Sequence, residues 1–440
     1  NLQIDLFEIC KMKNTNIFFL LLLCFSLTNF SNVYATDSIR TNKKDNYYLI
    51  EKRIKELNKQ TPVDLIFNDQ VFDYINKYLK KDKKLISKML AYSEYYFPMM
   101  DAMLDKHGLP LELKYLSIVE SGLNPKARSV SGAVGLWQFM YLTGKQYNLS
   151  VSSYMDERQD PFKSTESACI YFKKLYESFG DWSLVLAAYN GGPGYIQRKI
   201  IDTEINDYWH LQQHLRTETR NYVPKFIAIN YLMTFYKEHN ITKDEVKLSY
   251  NDIDSIKLKS QVNLKGLMSV TCTSREIIEY LNPSFKRDIF PEAAYIVLPK
   301  ENISDFLLNE GSNYKTMSLI NDKQVLVDED RIIYTVLKGD YLGKIAKKYN
   351  VNIYNLKKWN KLRTTKINEG DQMVIFVDKE HLKKISFESF RKEEYVVKKG
   401  DTLWSIAQKL DGITVSEIQE LNNIKEGYLQ PGTKILIPVI

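Results

Sequence analysis

Read for the spacing of its apolar side chains, the chain changes character along its length. From Asp45 to about Leu104, Tyr, Leu and Ile recur at helical intervals among many Lys, which predicts packing helices. From Leu111 to about His239 the helical spacing continues without strand-type alternation and is punctuated by Gly-rich turns. Beyond about Asn240 the composition shifts to Lys, Asp and Ile in strand-like alternation, which places a boundary there. Gln261 to Pro299, with IIEYLNPSFKRD and AAYIVLP, reads as a degenerate copy of the C-terminal segments.

Those C-terminal segments form a repeat. Ile333 to Asp340 (IYTVLKGD) recurs as Glu394 to Asp401 (EYVVKKGD), and the same offset carries Ile345-Ala346 onto Ile406-Ala407. One added residue later, Asn360 and Gly370 fall on Asn422 and Gly432. Each copy reads strand, Gly-Asp turn, helix, second helix ending in Asn, strand. Two small βααβ units are expected, at 333–377 and 394–438.

One short stretch stands apart, Pro110 to Met140 (PLELKYLSIVESGLNPKARSVSGAVGLWQFM). Leu113, Leu116, Ile118 and Val119 crowd a helix that Ser121-Gly122 and Asn124-Pro125 stop almost at once. Glu120 therefore sits in the last turn. A carboxylate there meets the negative end of the helix dipole, and partial burial adds to the same effect, so both favour the protonated acid. Raising a Glu from about 4.3 to about 6 takes only about 2.3 kcal/mol, within reach of burial. The bland reading is a solvated Glu at a helix end.

Composition narrows the classes. The 440 residues are 44% hydrophobic and 12% aromatic, enough for two or three domains with real cores. The net charge of +7 comes from 61 basic and 54 acidic residues in mixed stretches, so there is mild attraction to an anionic polymer and no nucleic-acid footprint. Lys11 and Lys13, the apolar run Ile17 to Leu27 and then Val33-Tyr34-Ala35 have the order of a secretory signal, so residues 1–35, starting from Met12, are expected to be removed. The run is too short to span a bilayer, which takes about 20 residues. A lipoprotein signal at Cys24 is the alternative, against which stands the large Leu23. Cys10 and Cys24 leave with the signal, and no bridge is expected between Cys169 and Cys272. His210 and His214 lack the Glu of an HExxH motif and a third ligand, so surface histidines and no metal are expected.

Three further islands come after Glu120. GAVGLWQFM, Gly132 to Met140, offers glycines for close approach, a stacking face in Trp137 and an amide in Gln138. AAYNGGPG, Ala187 to Gly194, presents Tyr189 and Asn190 at a helix end. ETRNYVP, Glu218 to Pro224, carries Tyr222. With DERQDPFKST between the first two, they stand in the order of a known family. The span from about Leu109 to Tyr236 resembles the soluble-lytic-transglycosylase-type (SLT) domain, and the chain as a whole resembles the membrane-bound lytic murein transglycosylase D family. Tyr141 and Asn148 depart from it, where relatives carry Pro and Gly. The two repeats look like LysM domains. In the first, Tyr341 and Gly343 replace the expected Thr and Trp or Tyr, whereas the second, with GDTLWSIA and LQPGTKILIP, is nearer the pattern.

The resemblance implies a multi-domain protein: an α-helical, lysozyme-like SLT catalytic domain at 105–240 after a helical segment at 36–104, then a linker and degenerate LysM-like region at 241–330, and the two small α+β LysM domains. It implies cleavage of the β-1,4 bond between N-acetylmuramic acid and N-acetylglucosamine in peptidoglycan, with a 1,6-anhydro product and no cofactor. Glu120 would perform both proton transfers. Ser121 would orient the acid or the N-acetyl group, Gln138 and Asn190 would hydrogen-bond the sugars, and Tyr189 and Tyr222 would line the cleft. The implied partners are peptidoglycan strands and N-acetylglucosamine-containing glycans held by the LysM repeats, in the periplasm or cell envelope with outer-membrane association. A non-catalytic glycan-binding protein and a lysozyme-like hydrolase are the alternatives on the same scaffold.

Overall fold

The computed structural model describes residues 43–246, 248–320, 329–382, 385, 391–398, 400–403, 405–406, 415–422, 424 and 429–439; the expected secretory signal and Cys24 lie outside them. Two compact units, Asn1–Val325 and Leu326–Ile440, divide the chain. None of the described helices is long and apolar enough to cross a membrane.

The first unit opens with α1 (Lys43–Asn58), α2 (Asp69–Lys81) and α3 (Lys83–Lys106). Asn68 starts α2 by accepting the Val71 N–H at 3.0 Å. Ile50, Ile54, Ile75, Ile86, Met100 and Leu104 on these helices are buried in the same core as Leu113, Leu116, Ile227 and Tyr231. The segment expected at 36–104 therefore shares one core with the segment expected at 105–240. Burying such side chains contributes about 1.5–3 kcal/mol each, which ties the N-terminal helices to those that follow.

After a tight 3₁₀ turn at Leu111–Lys114 comes α4 (Tyr115–Ser121), whose Leu116, Ser117 and Ile118 are buried. Gly122 ends it in the left-handed region (φ 61°), its N–H donating to the Ile118 carbonyl at 2.8 Å. Next are α5 (Tyr141–Gln146) and α6 (Pro161–Phe179). Pro161 starts α6, Asp160 accepts the Phe162 and Lys163 N–H groups at 3.0 Å, and left-handed Gly180 stops it. Asp181 caps α7 (Trp182–Gly191) through the Leu184 N–H at 2.7 Å. Three more helices, α8 (Pro193–Thr203), α9 (Tyr208–Leu211) and α10 (Thr217–Arg220), lead to α11 (Tyr222–Thr234). Eleven residues of α11 are buried, so it is apolar nearly all round, and α2, α4 and α7 pack against it.

A small module completes the unit: β1 (Ile253–Lys257), β2 (Val262–Asn263), α12 (Leu264–Thr271), α13 (Arg275–Leu281), β3 (Ile289–Phe290), β4 (Tyr295–Pro299), α14 (Lys300–Leu308) and α15 (Glu310–Ile320). β1 and β4 pair antiparallel with Ile256 opposite Ile296, over a core of Leu267, Ile278, Leu298 and Phe306. The second unit holds two further modules of strands and helices. The first has β5 (Glu329–Thr335), α16 (Leu342–Lys348), α17 (Ile353–Trp359) and β6 (Gln372–Asp378). The second has β7 (Arg391–Val396), α18 (Val415–Asn422) and β8 (Lys434–Val439), with β7 antiparallel to β8. The strands begin at Glu329 and Arg391, ahead of the repeat limits read from sequence.

One device recurs in all three modules. The Asn at the end of α13, of α17 and of α18 donates its side-chain amide to a carbonyl of its module's last strand and accepts that residue's N–H. The pairs are Asn282 with Val297 (2.8 and 2.8 Å), Asn360 with Val374 (2.8 and 2.7 Å) and Asn422 with Leu436 (2.7 and 2.6 Å). Each Asn locks helix to strand by side chain alone, so the three are copies of one design.

Candidate active site

Because α4 is short and Gly122 turns the chain sharply, Glu120 is held at the helix end while its neighbours Leu116 and Ile118 anchor the core. Burial raises its pKa from 4.5 to about 7, against the lowering effect of a hydrogen bond from Tyr222. The nearby charge of Glu218 raises it further and that of Lys225 lowers it. The Tyr222 hydroxyl, on the first turn of α11, donates to Glu120 Oε1. Tyr222 itself is pushed well above the ordinary phenol value by burial and by the Glu120 charge, so it stays a donor. A carboxyl raised to about 7 can keep its proton near neutral pH, where an ordinary glutamate has lost it.

The other expected residues fall round this carboxyl in different ways. Tyr189 feels the Glu120 charge, and its buried hydroxyl donates to the Trp137 carbonyl at 2.6 Å, tying α7 to the 132–139 loop. Asn190 beside it accepts the Thr219 hydroxyl at 2.9 Å, which fixes which end of its amide is left to donate. The Ser121 hydroxyl lies 2.9 Å from both the Ser117 and Leu136 carbonyls, so its proton is used within the protein and its lone pairs remain. Gln138 has a left-handed backbone (φ 48°), rare for a residue with a Cβ, and its amide donates to Gly135 (2.8 Å) and Ala127 (3.3 Å) carbonyls. Trp137 corrects the sequence reading. It is fully buried, with Nε1 donating to Thr165 Oγ1 at 2.9 Å and its ring edge-on to Phe172, so it is core and presents no stacking face.

Several residues that hold the site were not singled out by sequence. Asp156 and Arg158 form a buried pair with two hydrogen bonds, 3.0 and 2.9 Å, and Arg158 Nη1 also donates to the Gly132 (3.3 Å) and Phe139 (3.2 Å) carbonyls. Gly135 rests directly on that backbone: a Cβ there would lie 1.8 Å from the Arg158 carbonyl oxygen. The DERQDP string carried the signal, since opposite charges two apart in a turn can face one another. Thr165 and Thr219 had none, being short polar side chains in helical runs. Among the described residues no group of three or more His, Cys, Asp or Glu is placed to hold a metal, and Cys169 is a free, buried thiol.

The comparisons with known proteins agree with this arrangement. Residues 98–212 match the transglycosylase SLT domain, 252–315 the LysM-like domain of lytic transglycosylase MltD, and 334–376 and 395–438 the LysM domain. Over 383 residues the chain is 29% identical to the membrane-bound lytic murein transglycosylase D of Escherichia coli strain K12, covering 84% of this chain and 82% of that protein. Over 103 residues the chain is 37% identical to the cell wall-binding protein YocH of Bacillus subtilis, covering 23% of this chain and 32% of that protein. Among solved structures, the 70 kDa soluble lytic transglycosylase of Escherichia coli is similar at 24% identity and a TM-score of 0.29, over 35% of this chain. The chain spans about a quarter of that structure's length (27%). The chain therefore carries a transglycosylase SLT domain, with Glu120 in its ESG turn, and three LysM-type modules behind it.

Proposed function

We propose that the chain cleaves the β-1,4 bond between N-acetylmuramic acid and N-acetylglucosamine in peptidoglycan and closes the muramyl residue into its 1,6-anhydro form. Glu120 protonates the departing glycosidic oxygen. As carboxylate it then takes the proton of the muramyl C6 hydroxyl while O6 bonds to C1, so acid and base are one group and no water enters the product. The observation that carries this reading is a single carboxyl held near neutrality by burial and aimed by the Tyr222 hydroxyl. Glycosidases that use water or a covalent intermediate need a second carboxylate about 5–9.5 Å away. Glu218, whose charge reaches Glu120, is exposed on the four-residue α10, and the cyclisation does not require it.

Around Glu120, Asn190 and Gln138 are read as hydrogen-bonding the sugars, Ser121 as orienting the acid or the N-acetyl group, and Tyr189 and Tyr222 as the cleft wall. The two C-terminal LysM domains hold the enzyme on N-acetylglucosamine-containing strands, two weak modules gaining by effective concentration. Export to the cell envelope, with outer-membrane association, is part of the same reading. Mass spectrometry of the muropeptides released from sacculi tests the chemistry. The anhydro product is lighter by one water than the hydrolytic one, and reducing ends in its place would assign a lysozyme-like hydrolase.

A further inference from the structure

We propose that the LysM-like module at 252–315 is a working part of the catalytic domain, with Ser284, Phe285 and Lys286 as positioning residues for the loop that carries Gln138; this rests on the reading of Glu120 as acid and base. All three modules share the Asn lock, but this copy alone lies in the same compact unit as the catalytic helices. The stretch directly after its locking Asn282 is engaged by the catalytic chain as an added strand edge. Met155 pairs antiparallel with Phe285, the Asp156 N–H donates to the Ser284 carbonyl at 2.8 Å, and the Lys286 N–H donates to the Tyr154 carbonyl at 2.7 Å. The Lys286 ammonium donates to the Ser152 carbonyl as well. Apolar contact continues the seam: Leu281 and Ile253 belong to the catalytic core, and the Tyr280 ring lies 5.7 Å from Tyr95.

The residues so gripped lead straight into the buried pair. Asp156 has its N–H on Ser284 and its carboxylate on Arg158, and Arg158 holds the carbonyls of Gly132 and Phe139 at the two ends of the 132–139 loop. That loop supplies Gln138, and the Trp137 carbonyl on which the Tyr189 hydroxyl is anchored. The module's edge, the 152–158 segment, the loop and the wall beside Glu120 are therefore joined by consecutive hydrogen bonds. In a chain with two further LysM domains for retention, this copy positions the reaction site.

The test uses the full chain. Lys286→Pro removes the N–H that pairs with Tyr154, Lys286→Met removes only the ammonium, and Lys286→Arg restores a cation. The readouts are turnover of a short soluble peptidoglycan tetrasaccharide, binding to insoluble sacculi, and amide exchange at 132–139 and 295–299. The expected result for Lys286→Pro is a loss of about tenfold in kcat/KM with faster exchange at 132–139, intact protection at 295–299 and unchanged sacculus binding. Lys286→Met is expected to lose about threefold and Lys286→Arg to recover most of it. Unchanged turnover and unchanged protection at 132–139, with weaker sacculus binding, would overturn the proposal and make the module an anchor. If Lys286→Pro unfolds the module, seen as lost protection at 295–299, the Met and Arg variants decide by the same criteria. Failure of the underlying reading looks different: wild type and Glu120→Gln would behave alike on the tetrasaccharide, whatever happens to loop exchange.

Discussion

Two carboxylates in this chain, Glu120 in the catalytic unit and Asp340 in the first LysM repeat, each accept a tyrosine hydroxyl, and their environments push them in opposite directions. Tyr222 donates to Glu120, yet burial outweighs that bond and the pKa rises to about 7. Asp340 takes the Tyr334 hydroxyl at 2.5 Å, the Leu337 N–H at 2.9 Å and the Lys344 ammonium at 2.8 Å, and its pKa falls to about 2, with the Lys344 bond the largest cause. Asp401 repeats two of these contacts, with Tyr395 at 2.7 Å and the Lys398 N–H at 2.8 Å. A tyrosine is thus no mark of an active site. What separates a reactive carboxyl from a structural one is how many donors and cations meet its charge.

The largest effect expected from breaking this contrast is at Glu120. Glu120→Gln keeps the shape and removes both proton transfers, so turnover should fall by at least about 10⁴-fold while sacculus binding survives. Retention of more than a few per cent of anhydromuropeptide release by the folded variant would move catalysis to another carboxylate. The same variant should be more stable than wild type above neutrality. A raised folded pKa leaves folding unopposed below pH 4.5 and costs stability as pH rises through about 7, up to roughly 3 kcal/mol, which Gln abolishes.

Next in size is the pair that holds the GLWQF loop. Arg158→Met leaves the buried Asp156 carboxylate with only the exposed Arg128 guanidinium, 3.7 Å away, as a cationic partner, at a cost of about 3 kcal/mol, read as a fall of about 10 °C in the first unit's melting temperature. A shift of only a degree or two would show that the pair is not what holds the loop.

Tyr222→Phe should act more mildly and sharpen the comparison. Loss of the hydrogen bond lets the Glu120 pKa rise, so the alkaline limb of kcat/KM should move to higher pH by about 1–2 units, with a roughly tenfold loss at the optimum. An alkaline limb that stays in place would remove Tyr222 from the tuning of Glu120. The smallest effect on soluble-substrate turnover, none, is expected for Asp340→Asn. Its depressed pKa contributes stability that is present above 3.8 and lost as pH falls through about 2, so the substitution should weaken only the repeat and its grip on sacculi.

The contrast also marks what could be read from sequence. Glu120 and its Gly122 stop were legible because a helix terminus is a local event, written in a few consecutive residues. The repeats were legible because a second copy of the same string shows which positions matter, Asn360 and Asn422 among them. Arg158 was missed, since the two-residue spacing from Asp156 that allows a buried pair fits two charges in water equally well. Trp137 was misplaced because an aromatic beside glycines fits both a sugar platform and a core, and only the Thr165 hydroxyl behind it decides. The grip of Ser284 and Lys286 on the 154–156 segment uses backbone groups, which leave no trace in side-chain spacing.

The measurement that bears most directly on the central claim is an NMR titration of the side-chain carboxyls in the full chain, following Glu120 and Asp340 in one sample. Midpoints near 7 for Glu120 and near 2 for Asp340 are the predicted result. A Glu120 midpoint at the ordinary value of about 4.5 would mean the site does not hold its proton to neutral pH, and would contradict the assignment of that residue as acid and base.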